Sequence, residues 1–454
     1  MKHRLVCSSL IGLCALTGVI GSFFMSPCAA ADDASDDSGR LKEVVVTATR
    51  RAESINKVPM SITALTSDQM EEKGIKSIDD IARDVPGIAF FRGAYGSATI
   101  SIRGVGDNSS SGGVGVGTTG IYIDDTPITP RSAPLSFTET NPYPSTFDMQ
   151  RVEVLRGPQG TLFGSGSLGG AIRFITTPPS LIDTTVYAQT EAAYTDYGAP
   201  SYDAGFAAGG PLIAGVLGYR VSIDDQHEGG WIDRVQRSND DILDANANYV
   251  DTRPIHIAVT YAPTDNLKIT PSYFTQETYR NDEDLYWEGL SDPDTGHFNS
   301  AGAPQPDRDR IDLGALKVEW STDGVELFSN TSYLYRRNKN QYDVTANALE
   351  LTPAGEFPLL LNTQLPGLEN FTATAFDLNQ QNSFVQEIRL ESTSINSRLS
   401  WQGGVFFQRQ RSISQDYQFT SEADLNQISE DLAGPWRPAK LLHLCSPETP
   451  PPLR

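Results

Sequence analysis

The sequence predicts two successive architectures, an α+β domain over residues 51–179 followed by an antiparallel transmembrane β-barrel that begins near residue 180. Three observations predict them: helix caps and Gly-rich loops in the first stretch, alternation of apolar and polar residues in the second, and no long apolar helix after the N-terminal 31 residues. Without the run of about 18 apolar residues that a spanning helix needs, only a barrel can satisfy its backbone polar groups in lipid.

Residues 1–31 read as an export signal. Lys2, His3 and Arg4 precede an apolar stretch from Leu10 to Phe24, and Ala29, Ala30 and Ala31 supply a small-residue cleavage pattern. A lipidation site at Cys28 is the competing reading, although Pro27 directly before it fits poorly. Cys7, Cys14 and Cys28 lie in or beside the signal, so Cys445 stands alone in the mature chain, which excludes a disulfide framework and a cysteine metal cluster. The formal net charge of −22 disfavours nucleic acid and anionic lipid as electrostatic partners. A solvated acidic surface is the simple reading of that charge, and a specific cation site the alternative.

Residues 32–42 are acidic and lack apolar periodicity, as a flexible leader does. From Leu41 to Thr49, three consecutive valines with flanking threonines favour an extended segment. It is either the first strand of the next domain or a strand free to join a partner's sheet edge. Asp68 with Glu71 opens a helix that Gly74 closes; Ser77 with Asp80 opens a second that ends at Pro86-Gly87. Strands follow at Ile88 to Phe91, Thr99 to Arg103, Gly120 to Asp124, Arg151 to Leu155 and Ala171 to Thr176, separated by Gly-rich loops at Asp107 to Thr119 and Gly157 to Gly170.

After Pro178-Pro179 the period becomes two. Leu217, Tyr219, Val221 and Ile223 alternate with Gly218, Arg220, Ser222 and Asp224, so that one face suits lipid and the other water. Hairpins are legible around Pro263-Thr264-Asp265-Asn266 and Thr322-Asp323-Gly324. Long polar loops at Arg280 to Arg310 and Gln341 to Gln381 give the short-turn, long-loop asymmetry of an outer-membrane barrel. A soluble β-sandwich also alternates and is the competing fold.

Several segments together resemble the TonB-dependent outer-membrane receptors. Glu43, Val44, Val45, Val46, Thr47 and Ala48 resemble a TonB box, and Ser101-Ile102-Arg103-Gly104 and Ile121-Tyr122-Ile123-Asp124-Asp125 resemble plug strands. Val152 to Gly160, continued by Phe163 to Ile172, is similar to the most distinctive plug motif; Gln386 to Leu390 and Trp401 to Phe407 resemble barrel strands. The resemblance implies a TonB box at 43–50, a plug at 51–179 and barrel strands over 180–433. It implies energised import across the outer membrane, with TonB and its inner-membrane complex pulling on the box, outer-membrane lipid around the barrel, and no resident cofactor. The cargo it implies is a large scarce molecule such as a ferric siderophore, with cobalamin or carbohydrate as alternatives. It makes Arg103 and Arg156 candidates for plug–barrel ion pairs with Glu387, against the simpler reading that these arginines bind local carbonyls. Loops carrying Arg92, Tyr95, Asp107, Asn108 and Arg131 would face the substrate.

Other chemistries find less support. Gly115 to Gly120 and Gly164 to Gly169 both satisfy GxGxxG, but neither opens a helix in a βαβ setting. His227-Glu228 lacks a second histidine at helical spacing, Asp124-Asp125 before Thr126-Pro127 reads as a turn, and no Gly-x-Ser-x-Gly elbow has triad partners. An exported enzyme or adhesin on a soluble β fold is the rival class.

Plugged transporters of this type have about 22 strands, whereas nine or ten are legible here. Residues 434–454 are Pro-rich, do not alternate and end on Arg454, where the family ends its last strand on an aromatic. The expectation is therefore a partial barrel, C-terminally truncated or altered in frame, with a disordered tail on a smaller barrel as the alternative.

Overall fold

The computed structural model describes residues 3–5, 44–92, 98–106, 117–128, 143–236, 240–292, 294, 296–345, 372–393 and 399–420. Residues 434–454 lie outside them.

The α+β part is built on a five-stranded mixed sheet in the order Ile62–Thr66, Met149–Arg156, Gly170–Thr176, Thr119–Ile123, Thr126–Pro127. Gly170–Thr176 and Thr119–Ile123 run parallel. A three-stranded sheet of Ile88–Arg92, Ala98–Ile102 and Val105–Gly106 lies apart from it. Helix α1, Ser67–Lys73, starts two residues earlier than its acidic residues suggest: Thr66 and Gln69 form the capping box, in place of Asp68 and Glu71. Gly74 closes it in the left-handed region at φ 63°, which a residue without a Cβ adopts freely. Helix α2, Ile78–Asp84, has the expected Ser77–Asp80 capping box. Both helices turn apolar side chains inward, and Met70, Ile78 and Ile81 join Leu65, Ile100, Ile121, Val152 and Phe174 in one core.

Nine long strands form an antiparallel meander around this domain: Thr185–Tyr194, Pro200–Ile213, Leu217–Glu228, Val250–Thr264, Leu267–Arg280, Asp307–Thr322, Val325–Asp343, Ala373–Ser392 and Gln402–Thr420. His3–Leu5 pairs with the outer edge of the first. Tight turns join the strands at one end, where Thr264 faces Leu267 and Thr322 faces Val325, with Gly324 at φ 94°. At the other end the connections are long, but the strands reach further into them than polarity suggests. The stretch read as a loop from Gln341 to Gln381 gives its first three residues to one strand and residues from Ala373 onward to the next. Within the Arg280 to Arg310 connection, His297–Asn299 pairs parallel with Ile232–Val235, making a small sheet over the wall.

The amphipathy of the wall is inverted relative to a soluble sheet. Phe206, Val221, Ile223, Ile257 and Tyr333 point outward and are exposed, whereas Arg220, Ser222, Asp224, Gln276 and Asn330 are buried against the inner domain. Such a pattern fits lipid outside and a polar lumen inside, and disfavours the sandwich, whose buried face is apolar. Four inward apolar side chains, Phe274, Ile311, Leu313 and Leu334, join the core of the inner domain. Polar seams complete the contact: Lys76 meets Glu191 at 3.0 Å and Asp203, Arg220 meets Asp148, and Thr126 Oγ1 donates to Ser332 Oγ at 2.9 Å. Among the described residues the sheet does not close into a ring.

Close backbone approach fixes Gly170, because a Cβ there would overlap the Leu155 carbonyl oxygen and stand 2.9 Å from Ile102 Cδ1. Gly170→Ala is expected to cost about 1–3 kcal/mol by overpacking. The guanidinium midpoint of the detergent-solubilised chain checks this, and an unchanged midpoint refutes it.

Candidate functional site

The valine-rich segment does not form a long strand. Only Val45–Val46 is extended, pairing with Glu53–Ser54, and the chain reverses over residues 47–50 with Arg50 at φ 63°. Alternation decides what it buries. Val46 and Ala48 are fully buried against Tyr122, Leu155, Phe163 and Ala171, whereas Val45 is 46% exposed.

Between these apolar anchors, Thr47 lies on a buried charge cluster. Glu153 and Arg173 are register partners on adjacent strands, 0% and 2% exposed, and pair at 2.8 Å. The Thr47 amide donates to Glu153 Oε1 at 2.8 Å, and Arg173 Nη1 donates to the Thr47 carbonyl at 2.9 Å. Arg151 completes the set, donating to Glu153 Oε1 at 2.8 Å. Burial raises the Glu153 carboxyl, but Arg173, Arg151 and the Thr47 amide outweigh it and hold its pKa below the ordinary value. Asp125 behaves alike: burial raises it, while Arg173 and Arg50 bring it below the ordinary range.

The next two residues carry the segment to the wall. Arg50 Nη1 donates to Asp125 Oδ1 at 2.9 Å, lies 3.7 Å from Glu387 Oε2, and has its guanidinium 4.5 Å from the Phe163 ring centre. Arg51 pairs with Glu391 at 3.1 Å and donates to Ser400 Oγ at 2.7 Å and the Trp401 carbonyl at 2.6 Å. The short segment is thus held by apolar side chains inside the domain and by two guanidinium groups on the wall.

This arrangement corrects the expected ion pairs. Among the described residues Glu387 pairs with Arg50 and Arg389, not with Arg103 or Arg156. Arg156 donates to the Pro86 carbonyl at 2.9 Å, and Arg103 is exposed, its amide bonded to the Gly87 carbonyl. Asp124-Asp125 is the turn its sequence suggests, with Asp124 at φ 51°. Arg92 pairs with Asp79 at 2.8 Å and approaches Asp284 at 4.0 Å. Glu43, Tyr95, Asp107, Asn108 and Arg131 lie outside the described residues. Sequence reasoning missed Glu153, Arg173, Arg50 and Arg51. The available signal was one charge of each sign inside the apolar runs Val152 to Leu155 and Ala171 to Ile175, and two arginines directly after the valine segment.

Residues 54–171 match the model of the TonB-dependent receptor plug domain. The pesticin receptor of Yersinia enterocolitica is 27% identical over 308 residues, 67% of this chain and 42% of the receptor. The vitamin B12 transporter BtuB of Photobacterium profundum is 26% identical over 318 residues, 69% of this chain and 46% of the transporter. The chain therefore spans about half the length of these curated relatives. The fold is that of the ferric yersiniabactin uptake receptor FyuA from Yersinia pestis, with a TM-score of 0.59 at 18% identity over 80% of this chain and 50% of that structure. Residues 54–171 are thus a TonB-dependent receptor plug domain with an antiparallel barrel sheet wrapped around it, and over about two thirds of its length the chain is similar to curated outer-membrane receptors and transporters.

Proposed function

We propose that the chain serves energised uptake across the outer membrane, with residues 43–50 as the segment offered to TonB and its inner-membrane complex. The observation that carries this reading is the docked coupling segment: it holds the plug by a two-residue ladder and polar contacts that a pulling partner can break. An extended backbone can instead add to a partner's sheet edge, where hydrogen bonds in series resist pulling better than scattered side-chain contacts. The role is transport rather than catalysis. The cargo is a large scarce molecule, most simply an iron–siderophore complex. Relatives named as a pesticin receptor and a ferric yersiniabactin receptor support that choice, and one named as a vitamin B12 transporter marks cobalamin as the alternative.

The open sheet favours a second reading, a non-transporting form that keeps the plug and the coupling segment. Expressed alone, this polypeptide is then expected to bind TonB without accumulating cargo. Uncoupler-sensitive accumulation driven by the 454-residue chain overturns the second reading and supports the first.

A peptide spanning residues 43–50 is expected to bind the C-terminal domain of TonB, and Val46→Pro to weaken it at least about tenfold by removing an N–H and clashing with the ladder. Equal affinities in calorimetry sink the backbone-pairing mechanism.

Docking should also depend on pH with a defined sign. Glu153 and Asp125 have folded-state pKa values below their ordinary ones, so their contribution is complete above the ordinary carboxylate range and disappears as pH falls through the lowered values. A nitroxide at Val45 is expected to stay immobile at neutral pH and to be freed only below about pH 4. Glu153→Gln should free it at neutral pH, and a label already mobile there in the parent chain refutes the docking.

A further inference from the structure

The formal net charge of −22 opposes anionic partners in bulk, yet one part of the outer face of the wall is locally positive. Strand register sets Arg310 opposite Arg337 and Arg308 opposite Lys339, on the strands Asp307–Thr322 and Val325–Asp343. All four share the outward face of exposed Leu316 and Tyr333 and alternate with buried Ile311, Leu313 and Leu334. Like charges directly opposite on a sheet repel, with Cβ atoms about 5 Å apart, and here two such pairs occupy successive outward rungs. Carboxylates relieve one strand only: Arg308 meets Glu277 at 2.6 Å and Arg310 meets Asp312 at 3.0 Å. Among the described residues Arg337 and Lys339 pair with no carboxylate. The charges that act on Lys339 are those of Arg337 and Arg308, and the Arg337 Nε–H has no acceptor.

Height decides what can meet this block. It lies at the end with the long connections, the outer end of such a barrel. At the other end of the same strand Trp320 is exposed, followed only by Ser321 and Thr322 before the polar Asp323-Gly324 turn, and so marks the lower edge of the apolar band. Arg310 is ten residues further up the strand, about 33 Å of rise, which a tilt of about 40° turns into about 25 Å of height. An outer-membrane barrel has an apolar band about 25 Å tall. Arg310 and Arg337 therefore stand at its outer rim, with Arg308 and Lys339 about 5 Å above, at headgroup depth.

On the outer-membrane placement proposed above, and independently of TonB and cargo, we propose that Arg308, Arg310, Arg337 and Lys339 bind the phosphate groups of a phosphorylated glycolipid in the outer leaflet. A guanidinium holds phosphate bidentately and an ammonium adds a point charge, so a block of three arginines and one lysine suits a headgroup with two phosphates. Bound there, the phosphates sit at the border of the hydrocarbon, where screening is weak, and turn two repelling rungs into a paired set. Both strands are interior to the sheet, each with a paired neighbour on either side, so this surface does not wait on closure.

The test titrates the full chain in detergent micelles with diphosphoryl lipid A and with the same lipid stripped of phosphate, read by native mass spectrometry. The parent is expected to prefer the phosphorylated lipid about tenfold or more, the worth of one charged hydrogen bond. Arg337→Gln combined with Lys339→Gln is expected to erase that preference, and Lys268→Gln, which removes an exposed cation at the tight-turn end, to keep it. These changes touch outward side chains only, and an unchanged tryptophan emission spectrum shows that the wall is intact. Equal binding of the two lipids, an undiminished preference in the double variant, or a greater preference for phosphatidylglycerol overturns the glycolipid site. Release of the lipid by an equal concentration of inorganic phosphate overturns it as well, since the site then takes the free ion. A lost preference with TonB binding intact sinks this site and spares the uptake reading; a retained preference without TonB binding supports the site and counts against that reading.

Discussion

The pairing of Glu153 with Arg173 inside the plug is the constraint on which the docking of the valine segment depends. An isolated charge in such a place costs several kcal/mol, so each residue makes the other tolerable, and breaking such a pair typically costs about 3–5 kcal/mol. The pair still leaves hydrogen-bonding capacity on both sides. Thr47 occupies it with an amide, a hydroxyl and a carbonyl, which converts a structural ion pair into a receptor for the segment's backbone. Backbone recognition of this kind asks little of the neighbouring side chains except that Val46 and Ala48 fit between Tyr122, Leu155 and Phe163.

A second consequence follows from where Arg50 and Arg51 reach. Their partners sit on the wall strand Ala373–Ser392 and on the turn that follows it, so the segment is held to the wall as well as to the plug. Arg50 spans both, sharing Asp125 with Arg173 while facing Glu387. Displacing the segment therefore alters the charge balance of plug and wall in one event. Salt bridges at exposed surfaces contribute little, but Arg50 is nearly fully buried with Asp125 and Glu387, where screening is weak.

Much of the fold was legible in the sequence. Period-two alternation in Leu217 to Asp224 announced a wall strand, and the turns at Asp265-Asn266 and Asp323-Gly324 set the register on either side. The strand ends were not legible. Residues such as Asn338 and Asp377 look like loop residues by polarity, yet a wall with a polar lumen buries them on its inner face. The site was half legible: the valine segment was identified, but an extended strand was expected and a two-residue ladder was found, followed by a reversal in which Arg50, at φ 63°, reaches Asp125. Family resemblance selected Arg103 and Arg156 for Glu387, and resemblance carries no information about which arginine lies nearest in space.

The open sheet sets the limit on what these nine strands do alone. Among the described residues Gln402–Thr420 has a neighbour on one side only, and Val405, Phe406 and Phe407 are all exposed although successive residues point to opposite faces. In a hydrocarbon layer the unpaired N–H and C=O groups of such an edge cost several kcal/mol each, so the wall needs further strands, on whichever polypeptide carries them, before it can rest in lipid. The network that holds the valine segment has no such requirement. Its residues lie in the plug, in the strand Ala373–Ser392 and in the following turn, all in place here. Holding the valine segment and enclosing a lumen are thus separable, the first requiring only a folded plug beside one stretch of wall and the second a closed ring.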